Sequence, residues 1–365
     1  LAREKPAAAT PGRLKLGAKG YLPLNTLNVA ELLMPSARDA TSTVLSNTSV
    51  TPATGDENHL LAPTLFHQSW WLQIATNGRY RVVESRRDGR VVGRLPFTVT
   101  KRYGHSVSLM PTLTHFLGPG IDEGVGGANA RFLQRLTITQ DLLQQLPKVA
   151  YLKHKLHRSV LDTLPFQMAG FQSSVQFTYE IAPQPEVAVW QGMRDKTRNM
   201  VRKARRTMVC ESVDDPDLFI QLYRSNLAAK NASSNIDLQT CLYLIAACLV
   251  RNCGRILVAR QSDGTVAAAI FYAWDSKAAY YLLSTRTPSS GNSANTMLLW
   301  EAIRDTMARG LIFDFDGVGS SGAVLFFAGF GAAIQPRYII SRSGKMAQVL
   351  QDIRILLGNP KSTFF

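Results

Sequence analysis

Seven cations and one anion are packed into residues 190–206. The cations are Arg194, Lys196, Arg198, Arg202, Lys203, Arg205 and Arg206, and the anion is Asp195. Arg194, Arg198, Arg202 and Arg205 or Arg206 fall on one face of a helix. Like charges so spaced repel by about 0.2–0.5 kcal/mol per pair, and a bound anion relieves that cost. A solvated basic helix explains the same stretch. A second feature is the run from Ser284 to Asn295, S-T-R-T-P-S-S-G-N-S-A-N, between a strand and a helix. Free N–H groups at a helix start, approached through small residues, hold anions, while a plain capping loop has the same composition. Third, Asp314 and Asp316 alternate on a predicted strand and so share one face. A carboxylate at the end of that strand could take a proton from an attacking amine. Asp316 is preferred because it is nearer the loop; the alternative is a structural aspartate capping the next loop or helix.

Other motifs carry less. Gly317-Val-Gly319-Ser-Ser-Gly322 satisfies G-x-G-x-x-G after a strand. A dinucleotide site also needs an acid near the end of the next strand, but the first acid is Asp352, and too few residues remain for a doubly wound domain. His154 and His157 have no third ligand at metal-site spacing and are expected to be solvated. His67 and His115 have no partner readable from the sequence. There is no G-x-S-x-G elbow and no Walker A loop. Of four cysteines, Cys241 and Cys248 share a helix face and are expected to be buried thiols. That composition suits a reducing, cytoplasmic location, and no metal is expected.

The whole chain has 365 residues, 45% of them hydrophobic, and a net charge of +15. Its length suits about two domains of about 150 residues. Its longest apolar run, Leu242 to Val250, falls far short of the roughly 20 residues that span a membrane. The first residues hold no continuous apolar core, so no secretory signal peptide is expected. The chain begins with Leu rather than Met, which leaves the completeness of its N-terminus open. Residues 1–58 are rich in Ala, Thr, Ser, Pro and Asn and read as a flexible leader with a short helix near 27–34. They carry six basic and five acidic residues, so the positive charge belongs to the remainder. The basic stretch has no interleaved aromatics, and no zinc finger or RNP motif occurs, which favours a phosphorylated small molecule over nucleic acid.

These groups must be positioned by elements whose order repeats. Helical spacing over 66–75 precedes two β-rich runs joined by Asp88-Gly89, a hairpin signal. A strand near Val107, a glycine-rich loop (117–127), a helix (130–145), a strand (149–156), a helix (159–168) and a strand (171–181) come next. The second half opens with a long basic helix over 186–208 and helices over 215–230 and 237–251. A meander (254–260, 266–274, 278–284), a helix (295–309), a strand (311–315), a short helix (323–330), a strand (334–341) and a final helix (344–357) complete it. The hairpins at Asp88-Gly89 and Asp263-Gly264 match in pattern, which suggests a duplicated α+β domain.

Several stretches resemble the FemAB-like, tandem branch of the Gcn5-related (GNAT) acyltransferases, a branch that includes peptidoglycan aminoacyl transferases and acetyltransferases encoded beside exopolysaccharide genes. They are Phe66-His-Gln-Ser-Trp70-Trp71, Asp88-Gly89 through Leu95-Pro96-Phe97, and Arg198-Asn-Met-Val-Arg-Lys-Ala204. Leu299-Trp-Glu-Ala-Ile303, Gly310 to Gly317, and Phe326-Phe327-Ala-Gly-Phe-Gly331 continue the series. The resemblance covers about residues 61–345. It implies two tandem GNAT-like domains (59–185 and 186–365), each a mixed, mostly antiparallel sheet flanked by helices, after the 1–58 leader. It also implies transfer of an acyl group from acyl-CoA to an amine, on an aminosugar or an amino-acid-derived group, with a cell-envelope or exopolysaccharide connection. Arg286-x-x-Ser289-x-Gly291 resembles a degenerate coenzyme A loop, so Arg286, Ser289, Ser290, Gly291, Asn292 and Ser293 would hold the donor. Arg198, Arg202, Trp70, Tyr281 and Phe327 would meet substrate, and the strand from Ala278 to Ser284 would supply oxyanion N–H groups. Fem-type enzymes commonly read Phe-Lys-x-x-Phe-Gly where this chain has Phe327 in the lysine's place, which argues against the alternative of a tRNA-dependent aminoacyl transferase. A second alternative is a non-catalytic anion-binding protein of the same fold.

Overall fold

The computed structural model describes residues 60–229, 231, 236–317 and 320–344. The expected leader, its short helix, and the final helix from residue 345 onward lie outside the described residues. A short helix α1 (Ser69–Ala75) leads into β1 (Tyr80–Arg87) and β2 (Arg90–Thr98). Asp88 and Gly89 join these strands with φ of 49° and 77°, the positive values a two-residue hairpin demands. Then come β3 (Thr100–Arg102), β4 (His105–Ser108), β5 (Gly120–Ile121), α2 (Ala128–Gln144), β6 (Tyr151–Lys155), α3 (Leu164–Met168) and β7 (Gln172–Ile181). The second half contains α4 (Glu186–Gly192), α5 (Asp195–Arg205), β8 (Met208–Val213), α6 (Pro216–Ala228), α7 (Leu238–Val250) and β9 (Gly254–Gln261). β10 (Val266–Trp274), β11 (Ala278–Arg286), α8 (Ser293–Ala308), β12 (Ile312–Asp314), α9 (Ser321–Ala328) and β13 (Ala333–Ser343) complete the order.

Local chemistry sets several boundaries. Asp215 accepts from Leu218 N at 2.8 Å ahead of Pro216, and Asp237 accepts from Gln239 N at 3.0 Å. Both are N-caps, and proline suits the first helical position because its missing N–H would have no partner there. The expected helix over 159–168 forms only as α3, whose first residue Leu164 gives its N–H to Asp162 Oδ1 at 3.0 Å. The long basic helix expected over 186–208 is two helices. Met193 and Arg194 take extended ψ values of 146° and 144° between them, and Met193 turns into the core.

Ten strands form one mixed sheet in the order β3-β4-β6-β13-β7-β12-β11-β10-β9-β8, and β1-β2-β5 form a separate one. The two matching hairpins therefore part company: β9 and β10 sit inside the large sheet, and β1 and β2 stand outside it. β13, from the end of the chain, lies between β6 and β7 of the first half. Two pairs are parallel, β4 with β6 and β11 with β12, and the others are antiparallel.

β9, β10 and β11 are buried on both faces, which accounts for their near-continuous apolar runs. One face meets a core that includes Val201, Trp300, Phe313, Phe315 and Phe327; the other meets Trp71, Phe219, Cys241, Cys248 and Tyr280. A third core, with Ile138, Leu142, Phe166 and Ile340, serves the first half.

Candidate functional site

β11 and β12 are paired only through Ala278–Ile312, Ala279–Phe313 and Tyr280–Asp314. β12 then ends, whereas β11 runs on to Arg286 beside β10. Its register slips where Tyr281 faces Tyr272 and Leu283 faces Phe271, so Leu282 is an extra, bulged residue. Such bulges leave backbone groups unpaired and re-aim side chains. The sheet thus parts at its centre, next to a bulge.

Asp314 closes one side of this opening and is wholly buried. It accepts from Thr178 Oγ1 at 2.7 Å, Arg158 Nη2 at 3.0 Å, Arg337 Nη2 at 3.3 Å and Asp316 N at 2.8 Å. Glu180 shares both guanidinium groups, with Arg158 at 3.1 Å and Arg337 in direct contact. Burial and the Asp314 charge raise the Glu180 pKa, and the two arginines oppose them. Two carboxylates and two guanidinium groups make a balanced, desolvated hub drawn from both halves of the chain. Asp314 is occupied in this hub and has no free edge for proton transfer.

Asp316 stands apart. It is not on the strand and does not continue Asp314's alternation: β12 stops at Asp314, and Asp316 takes φ = 60°. Its carboxylate, 6% exposed, meets His115 Nδ1 directly. Burial raises the Asp316 pKa, and His115 counteracts it. His115 Nε2 is buried without a hydrogen-bond partner among the described residues. Its ring lies 5.7 Å from Phe66, which in turn lies 4.8 Å from Tyr280. With Nδ1–H donating to Asp316, the other ring nitrogen keeps a lone pair, the arrangement of an oriented general base. The sequence carried no signal for this pair, because nothing local links His115 to Asp316.

The remaining predicted positions separate into groups. Arg286 ends β11, and its guanidinium has no hydrogen-bond or ion-pair partner among the described residues. Ser289 and Ser290 form a single turn ahead of Gly291 (φ = 61°), and Ser290 Oγ donates to Thr287 O at 3.0 Å. Asn292 precedes Ser293, the first residue of α8, and its side chain makes no cap. A Cβ at Gly291 would meet no atom within 4 Å, so this loop faces open space. Tyr281 and Phe327 come together with ring centroids 6.2 Å apart, and Phe327 also packs on Phe315 (4.8 Å) and Tyr179 (6.5 Å). Trp70 lies elsewhere. It sits beneath Arg251 at 4.6 Å and lines a cleft with Trp274 and Lys277, at the opposite end of β11 from Arg286.

The basic stretch is less available than its composition suggests. The break at Met193 lets Arg198 donate to the carbonyls of Trp190 (3.1 Å) and Gln191 (2.9 Å) and pair with Asp195. Arg202 lies 5.4 Å over the Trp190 ring, and Arg205 contacts Glu301 at 2.5 Å. Arg194, Lys196, Lys203 and Arg206 are exposed without an acidic partner among the described residues. His154 and His157 are buried, not solvated, because His154 Nε2 meets Ser108 Oγ at 3.2 Å and His157 Nε2 meets Pro119 O at 2.9 Å. Burial lowers both pKa values to about 4. Cys241 and Cys248 are buried in α7. Among the described residues, no group of three or more His, Cys, Asp or Glu could hold a metal ion, and no helix is long and apolar enough to cross a membrane.

Comparison with known proteins agrees with this architecture. Residues 191–322 match the family model described as Acetyltransferase (GNAT) domain. Among solved structures, FemX superposes with a TM-score of 0.57 at 12% identity, over 78% of this chain and 92% of that one. The C-terminal domain of a proposed lysylphosphatidylglycerol synthetase from Agrobacterium fabrum gives 0.52 at 14% identity, over 82% and 94%. No curated protein matches. Residues 191–322 thus match a GNAT domain, and the two superpositions show that the chain shares the fold of FemX and of that synthetase domain.

Proposed function

We propose that the chain is an N-acyltransferase that moves an acyl group from coenzyme A to an amine, with His115 as general base and Asp316 orienting it. The observation that carries this reading is the His115–Asp316 pair, its second ring nitrogen buried and unpartnered among the described residues, with Asp316 on the loop after β12 where β11 and β12 part. The amine nitrogen attacks the thioester carbonyl and yields its proton to His115 Nε2. The C–S bond then breaks, and the thiolate leaves and takes up a proton. Backbone N–H groups freed at the Leu282 bulge suit the oxyanion. Unpartnered Arg286 and the uncapped start of α8 suit the donor's phosphates. The acceptor class is an aminosugar or an amino-acid-derived amine.

Transfer from a charged tRNA is the second reading, favoured by the four unpaired cations of 194–206. Phe327 weighs against it, because a lysine in its place would be desolvated among Tyr179, Tyr281 and Phe315. Calorimetry with acetyl-CoA, longer acyl-CoAs and charged tRNA, paired with a thiol-release assay over an amine panel, separates the readings. Binding of acyl-CoA that is weakened by Arg286→Glu supports the proposal. Binding of tRNA without any acyl-CoA sinks it, and binding of neither leaves the fold without a transferase donor.

A further inference from the structure

Midway along the β7–β13 ladder the usual pattern of burial is inverted. Towards the hub, Thr178 and Arg337 are buried, and Glu180 is nearly so. On the reverse face, where apolar groups normally hide, Val175 and Phe177 are 48% exposed and Ile334 is 55% exposed, with Pro336 exposed beside them. The register makes them one strip: Phe177 faces Pro336, Val175 faces Tyr338, and Ile334 faces the inner residue Tyr179. Both strands are internal to the ten-stranded sheet, so the strip is not an edge effect. An exposed contiguous apolar patch on a folded protein marks a contact site.

One end of the strip is charged. Arg194 N donates to Gly329 O at 3.0 Å, which ties the start of α5 to the segment that becomes β13. Arg194 and Lys196, exposed and without acidic partners among the described residues, belong to that tied helix start, and Val201 of the same helix shares a core with Tyr179, the residue opposite Ile334. The inner end reaches Tyr179, whose ring neighbours Phe327.

The geometry points to a binding site for a single anionic amphiphile, with an alkyl chain laid along Ile334, Phe177 and Val175 and a phosphate head met by Arg194 and Lys196. This site is separate from the donor loop, so its failure would leave the transferase reading untouched. Charge complementarity at one end only favours an amphiphile over a second copy of the chain.

The test is calorimetry of the full chain with dodecyl phosphate below its micelle concentration. One-to-one binding is expected. Phe177→Asp should weaken it about tenfold or more, the loss expected when an alkyl segment no longer reaches apolar surface. Lys196→Glu should weaken it about threefold to tenfold and flatten its salt dependence. Decyl maltoside, with a neutral head, should bind more weakly, and inorganic phosphate should not compete. Circular dichroism melts should show each variant folded. Should Phe177→Asp unfold, Val175→Ser replaces it. Absence of binding, or binding unaffected by every strip variant, overturns the proposal. So does a dimer by light scattering that Phe177→Asp converts to a monomer, because the strip is then a self-interface.

Discussion

The chain contains the same opening twice, and the two copies have different fates. In the second half, β11 and β12 run parallel for three pairs and then part, and nothing pairs between them beyond Tyr280. In the first half, β4 and β6 run parallel for two pairs, Val107–Tyr151 and Ser108–Leu152, and also part. There the chain closes its own gap. Leu117 bridges to Leu156, with Leu117 N donating to Lys155 O at 2.8 Å and His157 N to Leu117 O at 2.9 Å. The closing segment also carries His115 to Asp316. One copy has been filled and lends a side chain to the other, which stays open. On the proposed reading the two openings serve as a scaffold and a site, not as two sites.

Four measurements would break or sharpen that contrast. The largest effect is expected at the lent group: His115→Gln and Asp316→Asn should each lower turnover about 100-fold or more with little change in donor affinity, the usual share of a general base. Unchanged turnover in both variants would remove the functional link between the copies. Next is the hub behind the opening. Asp314→Ala strands the guanidinium groups of Arg158 and Arg337, and chemical denaturation should show a loss of about 3–5 kcal/mol. A loss within error of zero would mean that the hub does not hold the halves together.

Third is acid sensitivity of the filled copy. His154 and His157 titrate at about 4 in the fold, against 6.5 ordinarily. Below pH 6.5 the unfolded chain binds protons that the folded imidazoles refuse, so stability is whole above that pH and falls towards pH 4. Each histidine contributes on the order of 3 kcal/mol over that window. A melting temperature that is flat between pH 7 and pH 5 would contradict the burial of both rings. Smallest is a pair of glycines. A Cβ on Gly118 (φ = 115°) would meet Leu156 Cδ2 at 3.0 Å, whereas one on Gly291 meets nothing. Both alanine variants bear the cost of positive φ, and Gly118→Ala should be the less stable by about 1 kcal/mol because it also crowds the filled gap. Equal losses would mean that the first opening is not tightly closed.

The basic stretch shows where sequence reading stops. Its cations are legible at once, but the break at Met193 is not, and that break turns Arg198 into a cap for α4 and sets Arg202 on Trp190. Charge reversal at Arg198 therefore tests helix geometry, and Lys196 or Lys203 is the cleaner probe of anion binding. The acidic pair shows the same limit. Alternation placed Asp314 and Asp316 on one face, whereas β12 is only three residues long and the chain turns at Asp316.

Local chemistry written in the sequence determined the elements themselves: the Asp88-Gly89 hairpin, the Asp215-Pro216 and Asp237 helix starts, the apolar runs of β9 to β11, and the order that resembles tandem GNAT domains. Each depends on residues a few positions apart, where backbone preference and side-chain periodicity act directly. Only the tertiary structure decided that β13 slots between β6 and β7, that His115 meets Asp316, that His154 and His157 are buried, and that Val175 and Phe177 of β7 lie exposed. Those outcomes depend on which distant strands share hydrogen bonds and in what register, and a one-residue slip would turn every side chain to the opposite face.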